Sequence, residues 1–230
     1  MFSKNIRFEN FNNKTINKNL RKLYKNLINK KNDKKYIINS FTKSYNYSYN
    51  KKILKNFKKF NIYQIYGMGG SSLGARAIYD FIKPNIRKNF YFYDNLDAKN
   101  KLLKRQKNSL SIIISKSGNT LETIVNENIF SSKKKLFITE NKNNYLRKLA
   151  YKLKAEIIEH NNYIGGRYSV LSEVGMLPAE LMGLNSNKFK KFDKLIFNKN
   201  FEKNLLINVN SLYNLVKKKK TNSIILNYDE

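Results

Sequence analysis

From position 62 onward, short apolar runs alternate with amphipathic stretches. Runs at 62–66, 90–93, 111–115, 135–139 and 155–158 have strand length. Stretches at 71–82, 98–105, 120–131, 145–153 and 172–182 place apolar residues at helical spacing. A parallel sheet needs this order, because parallel neighbours are joined over a long connection that a helix fills. The pattern predicts an α/β fold: a five-stranded, parallel, doubly wound domain over residues 61–185, with helical extensions on both sides.

The flanks read differently. Residues 1–60 are rich in Lys and Asn, and Leu20, Leu23, Tyr24 and Leu27 fall on one helical face, which predicts an N-terminal helical extension. Tyr45-Asn-Tyr-Ser-Tyr-Asn50 interrupts it as a polar, aromatic loop, and 51–60 resumes as a short amphipathic helix. After the domain, 186–220 reads as a helical connector broken near Lys199 and Asn200. Residues 223–229 read as one more strand, and a parallel strand normally runs on into its crossover helix. A strand that opens just before Glu230 therefore reads as a chain cut short.

Composition narrows the chemistry. With 230 residues and 41% hydrophobic content, including 16 Tyr and 15 Phe, the chain buries a real core. The sequence holds no Cys and one His (His160), which removes disulfides, thiolate nucleophiles and Cys- or His-rich metal sites. No metal and no cofactor is expected. The amino terminus lacks a secretory apolar stretch and no run of membrane-spanning length occurs, so a cytoplasmic protein without a membrane partner is expected.

The formal net charge of +30 admits two readings. One is a polyanion binder, since clustered cations release counterions from nucleic acid. The other is codon bias: the excess is nearly all Lys, Arg standing only at 7, 21, 76, 87, 105, 147 and 167, and Asn, Ile, Tyr and Phe are abundant too. The lysines are scattered rather than striped, which favours the second reading, and no specific nucleic-acid partner is expected.

Three patches rich in glycine and hydroxyls carry the candidate chemistry. Gly67-Met-Gly-Gly-Ser-Ser-Leu-Gly74 follows the first apolar run, but its spacing is not that of a dinucleotide loop. It suits a backbone approached closely by a sugar, with Ser71 as hydroxyl contact, or a tight turn alone. Ser115-Lys-Ser-Gly-Asn-Thr120 lacks the form of a nucleoside triphosphate loop. Its three hydroxyls, lysine and helix start make a phosphate cradle, although capping also accounts for Ser117 or Thr120. In Gly165-Gly-Arg-Tyr-Ser169, Arg167 reads either as an ordinary surface charge or, being one of few arginines, as a planar cation for a delocalised oxyanion. Glu173 and Glu180 lie on one helical face among apolar neighbours, and His160 stands alone; structural placement explains these three better than catalysis.

The ordered trio resembles the glucose-6-phosphate isomerase (phosphoglucose isomerase) family, whose first sugar-isomerase (SIS) domain has a flavodoxin-like fold. Gly67 to Gly74 is similar to its Gly-Ile-Gly-Gly-Ser block and Ser115 to Thr123 to its phosphate loop. Gly165 to Ala179 is similar to its Gly-Gly-Arg-Phe/Tyr-Ser-Val-Leu-Ser signature, the most specific of the three. The resemblance covers about 60–230. It implies an isomerase of glucose 6-phosphate and fructose 6-phosphate working through a cis-enediolate. Ser115, Lys116, Ser117 and Thr120 would hold the phosphate, Gly70, Ser71 and Gly166 would line the sugar, and Arg167 would stabilise the enediolate.

The family's general-base glutamate, ring-opening histidine and late lysine belong to a second SIS domain, of which 221–230 resembles the first strand only. The chain thus reads as an N-terminal portion without appreciable turnover, of an enzyme that the resemblance implies is a homodimer when complete. Helices meant to face the missing part, within 188–220, should expose apolar surface. The rival readings are a regulatory SIS module that binds a phosphosugar and a basic nucleic-acid-binding protein.

Overall fold

The computed structural model describes residues 16–96 and 108–219. The helix expected at 98–105 and the strand expected at 223–229 lie outside the described residues.

Five strands form one parallel sheet: β1 (Ile62–Tyr66), β2 (Asn89–Tyr93), β3 (Ser109–Ile114), β4 (Lys134–Thr139) and β5 (Glu156–Glu159), in the order β2-β1-β3-β4-β5. Every residue of β3 is buried, and Leu110 with Ile112–Ile114 reads as the continuous apolar run of a strand covered on both faces. Edge strand β5 keeps both its glutamates exposed.

The helices are α1 (Lys18–Asn29), α2 (Lys51–Phe57), α3 (Leu73–Ile82), α4 (Leu121–Phe130), α5 (Tyr145–Lys152), α6 (Glu173–Leu181), α7 (Phe192–Ile196) and α8 (Lys199–Lys217). Alternation along the strands sorts the core into two layers. Tyr63, Ile65, Ile112, Ile114, Leu136 and Ile138 face Ala75 and Tyr79 of α3, Val174, Leu177 and Leu181 of α6, and Leu54 of α2. On the other face Tyr66, Tyr93, Ile113 and Phe137 pack with Leu146 and Ala150 of α5 and with Ile124 of α4. Each such large side chain contributes about 1.5–3 kcal/mol on burial.

Rings tie β2 to β1 on both faces. Tyr63 stacks on Phe90 at 4.6 Å and Tyr66 on Tyr93 at 4.7 Å, each pair directly opposed in the register.

Among the described residues two compact units emerge, one within 32–190 and a second made of 16–31 with 191–219. Their limits differ from the boundaries drawn at 60/61 and 185/186. Tyr49, Leu54 and Phe60 are buried in the core beneath the sheet, so 32–60 packs with the strands. In the other unit α1 meets α8, and the Tyr24 hydroxyl donates to Ile196 O at 3.2 Å. The α1 face differs from the expected one: Leu20, Tyr24 and Ile28 are half-buried, while Leu23 and Leu27 are exposed. The break between α7 and α8 falls at 197–198, and Asn198 caps α8. As expected for the tail, α8 exposes Val209, Leu212, Tyr213, Leu215 and Val216.

Candidate functional site

Neighbouring strands β1 and β3 are followed by chain that leaves in opposite directions across the sheet, toward β2 and toward β4. Such a switch point leaves a crevice beyond the carboxyl ends of the strands. Two of the glycine-rich motifs sit there, one after each strand, and the third joins them from beyond β5.

The first motif turns through a 3-10 helix, Gly69–Ser71, into α3. A Cβ on Gly67 would lie 3.0 Å from Ile114 O, which sets this turn against the end of β3. A Cβ on Gly70 would lie 2.1 Å from Gly166 O, so the first and third motifs touch backbone to backbone and only glycine fits. The Ser169 hydroxyl is shared between Gly166 O at 2.7 Å and Gly70 O at 3.2 Å. Ser71 stands half-exposed beside this junction.

The second motif is bonded largely within itself. Ser115 Oγ lies 2.8 Å from Thr120 Oγ1 and 3.5 Å from Ser117 Oγ, and accepts from Gly118 N at 3.1 Å. Ser117 Oγ accepts from Asn119 N at 3.3 Å. Gly118 has φ +68° and presses on Asn144, which caps α5 by accepting from Arg147 N. Lys116 departs from its hydroxyl neighbours: its ammonium donates to Asn162 O at 2.7 Å and pairs with Glu140 at 3.3 Å. Burial would raise the Glu140 pKa, but Lys142 and Lys116 together hold it below the ordinary carboxylate value.

Helix caps distinguish the two helices entered from β1 and β3 from five other helices. Side chains of Asn17, Asn50, Asn144, Ser172 and Asn198 cap α1, α2, α5, α6 and α8. Ser72 and Thr120, at the N-cap positions of α3 and α4, make no such bond. Ser72 Oγ turns back to Gly69 O and Thr120 Oγ1 to Ser115, so Thr120 does not serve the capping role its position allowed. The helices entered from β1 and β3 thus keep first-turn N–H groups without a side-chain acceptor, at the positive ends of their dipoles.

Arg167 lies in the 3-10 turn Gly166–Leu171, exposed, and among the described residues its guanidinium forms no ion pair. Glu173, Glu180 and His160 all have hydrogen-bond partners within the fold. Glu173 is fully buried and accepts from Tyr45 OH at 2.6 Å and Asn161 N at 3.0 Å. Glu180 accepts from Ser186 Oγ at 2.6 Å and Tyr49 OH at 3.4 Å. Burial holds the His160 imidazole below its ordinary pKa, against the raising influence of Glu173. Among the described residues no group of three or more His, Cys, Asp or Glu could hold a metal ion, and no helix is long and apolar enough to cross a membrane. Sequence reasoning missed Tyr45, Asn161 and Lys190 as a buried network against the third motif; only the clustering of tyrosines at 45–49 hinted at it.

The family profile described as Phosphoglucose isomerase matches residues 15–230. The chain belongs to the phosphoglucose isomerase family. It is 37% identical over 202 residues to a glucose-6-phosphate isomerase of Methanocaldococcus jannaschii, covering 77% of this chain and 49% of the relative. It is 34% identical over 220 residues to that of Borreliella afzelii, covering 80% and 41%. The chain therefore spans about half the length, or less, of these relatives. Among solved structures, a hypothetical protein of Thermus thermophilus aligns with a TM-score of 0.66 at 20% identity, over 84% of this chain and 52% of that one. The tagatose-6-phosphate ketose/aldose isomerase of Escherichia coli aligns at 0.52 and 17%, over 80% and 55%. These likenesses show the fold, that of SIS-type phosphosugar isomerases.

Proposed function

We propose that this chain carries the phosphosugar-binding part of a glucose-6-phosphate isomerase, an enzyme that interconverts glucose 6-phosphate and fructose 6-phosphate through a cis-enediolate. The observation that carries this reading is the pair of helix starts, α3 and α4, without side-chain caps at the β1/β3 crevice. Ser115, Ser117 and Thr120 with the α4 amides take the phosphate. Lys116 adds charge by exchanging its Glu140 contact for the ligand. Gly70, Ser71 and Gly166 line the sugar, because bare backbone there lets hydroxyls approach main-chain groups. Arg167, unpaired, offers its guanidinium to the enediolate oxygens as they gain charge.

The reaction moves one proton between adjacent carbons, so it is redox-neutral and calls on no redox cofactor. It does need a carboxylate with a free oxygen. Both oxygens of Glu173 are taken by donors and both of Glu140 by lysines, and the family resemblance assigns the general base to a second SIS domain, so we read the 230-residue chain as a binder that does not turn over by itself. In this reading the complete enzyme is a cytoplasmic homodimer.

Calorimetry with fructose 6-phosphate and a phosphorylated enediolate analogue tests the assignment at moderate salt. Saturable binding is expected, weakened for both ligands by Lys116→Ala and chiefly for the analogue by Arg167→Ala. A folded sample that ignores both ligands yet binds nucleic acid in a salt-sensitive way would show that the net charge is the better guide.

A further inference from the structure

Both ends of the Arg167 turn are fastened to an aromatic segment far earlier in the chain. Before the turn, Asn161 Nδ2 donates to Tyr45 OH at 2.7 Å, and Tyr45 OH donates to Glu173. After it, the Lys190 ammonium donates to Leu171 O and to Ser40 O. Lys190 is 3% exposed, and its Nζ lies 4.8 and 4.9 Å from the ring centroids of Tyr45 and Tyr47. Two carbonyls and two ring faces enclose one nitrogen, an arrangement that leaves the residue almost no contact with solvent.

We propose that Lys190 is a positioning residue, clamping Leu171 O to Ser40 O and so holding Gly166 against Gly70 at the sugar end of the site. The idea rests on the phosphosugar reading above for its consequence in binding, and on geometry alone for the clamp. Burial pushes the Lys190 amine down to about 7, against the raising influence of Glu173. Of the groups that face it, Tyr45 and Tyr47 are held neutral by burial, and Glu173 has His160, Tyr163 and Tyr49 around it. Opening the turn would return the amine to water and its ordinary 10.5. The clamped state therefore binds its proton more weakly than the open one, and raising the pH from about 7 favours the clamp. An uncharged amine has two N–H groups, one for each carbonyl.

Amide hydrogen exchange, corrected for intrinsic rates, compares residues 166–171 with residues 116–123. In the unaltered chain, protection of 166–171 should rise between pH 6.5 and 9 while 116–123 stays constant. Lys190→Met should lower protection of 166–171 alone by roughly tenfold, and remove its pH dependence. The same variant should weaken fructose 6-phosphate binding while leaving inorganic phosphate binding unchanged. Unchanged exchange at 166–171, or loosening spread evenly over the chain, overturns the clamp. Should Lys190→Met fail to fold, the pH comparison on the unaltered chain decides. If the exchange pattern holds but fructose 6-phosphate does not bind, the clamp stands and the sugar reading falls.

Discussion

The 115–120 loop and the Gly166–Leu171 turn border one crevice but are built on opposite plans. The loop closes largely on itself: hydroxyls of Ser115, Ser117 and Thr120 bond each other and the local amides, and its outside supports are Asn144, Glu140 and, through Lys116, the carbonyl of Asn162. The turn is held from a distance, by Gly70 on one side and by Ser40, Tyr45 and Lys190 around its ends. A local device survives damage elsewhere in the molecule. The turn's shape is instead a tertiary property, sensitive to residues that touch no ligand.

That contrast breaks first at the junction. Gly70→Ala sets a methyl 2.1 Å from Gly166 O, backbone against backbone, so about 3 kcal/mol of stability should go in urea titrations, together with all phosphosugar binding. A smaller loss would mean that the turn yields more readily than a tertiary constraint should. Tyr45→Phe leaves one buried Glu173 oxygen without its donor and should cost about 2 kcal/mol, weakening fructose 6-phosphate but not inorganic phosphate in calorimetry. Asn144→Ala removes the α5 cap beside Gly118 and should cost about 1 kcal/mol, with phosphate affinity lowered and the Arg167 turn unmoved in exchange. Thr120→Val keeps the shape and deletes the hydroxyl on Ser115. Stability should change by less than about 0.5 kcal/mol while phosphate affinity falls about tenfold.

Acidity separates the two regions more gently. Glu140 beside the loop has a lowered pKa, so its contribution is present above the ordinary 4.5 and fades as pH falls below it. Near the turn, the lowered His160 pKa removes stability as pH drops through 6.5, and Lys190 adds stability from about 7 up to 10.5. The raised pKa values of buried Tyr45, Tyr49 and Tyr66 reverse the trend once pH passes 10.0. Thermal melts across this range should therefore climb from pH 6 to about 10 and then fall. A melt that is flat between 7 and 9 would place Lys190 in water.

The sequence was most legible where structure is local. Strands β1 to β5 stand within two residues of the positions their apolar runs mark, because each run is a contiguous signal in the chain itself, most plainly in β3, which is buried throughout. The hydroxyl loop was legible because it bonds largely within its own residues, and the glycine turn only as a motif, since its shape is set from elsewhere in the chain. The 45–50 segment read only as a polar, aromatic loop because its partners, Asn161, Glu173 and Glu180, lie more than a hundred positions away and leave no periodic mark. Lys190 was invisible, since one lysine in so basic a chain looks like any other. The half-buried face of α1 was misjudged because Leu20, Leu23, Tyr24 and Leu27 span an arc wider than a single neighbouring helix covers.

The paired rings across β1 and β2 also bear on misfolding. A parallel edge strand offers an open row of backbone groups, which invites slippage and pairing with another chain. With Tyr63 on Phe90 at one face and Tyr66 on Tyr93 at the other, a slip of β2 by one residue turns both β2 rings to the wrong side and undoes both stacks together. The two stacks act as a two-pin lock on alignment, and a chain lacking either pin should show its defect as aggregation during refolding before any loss in the folded state.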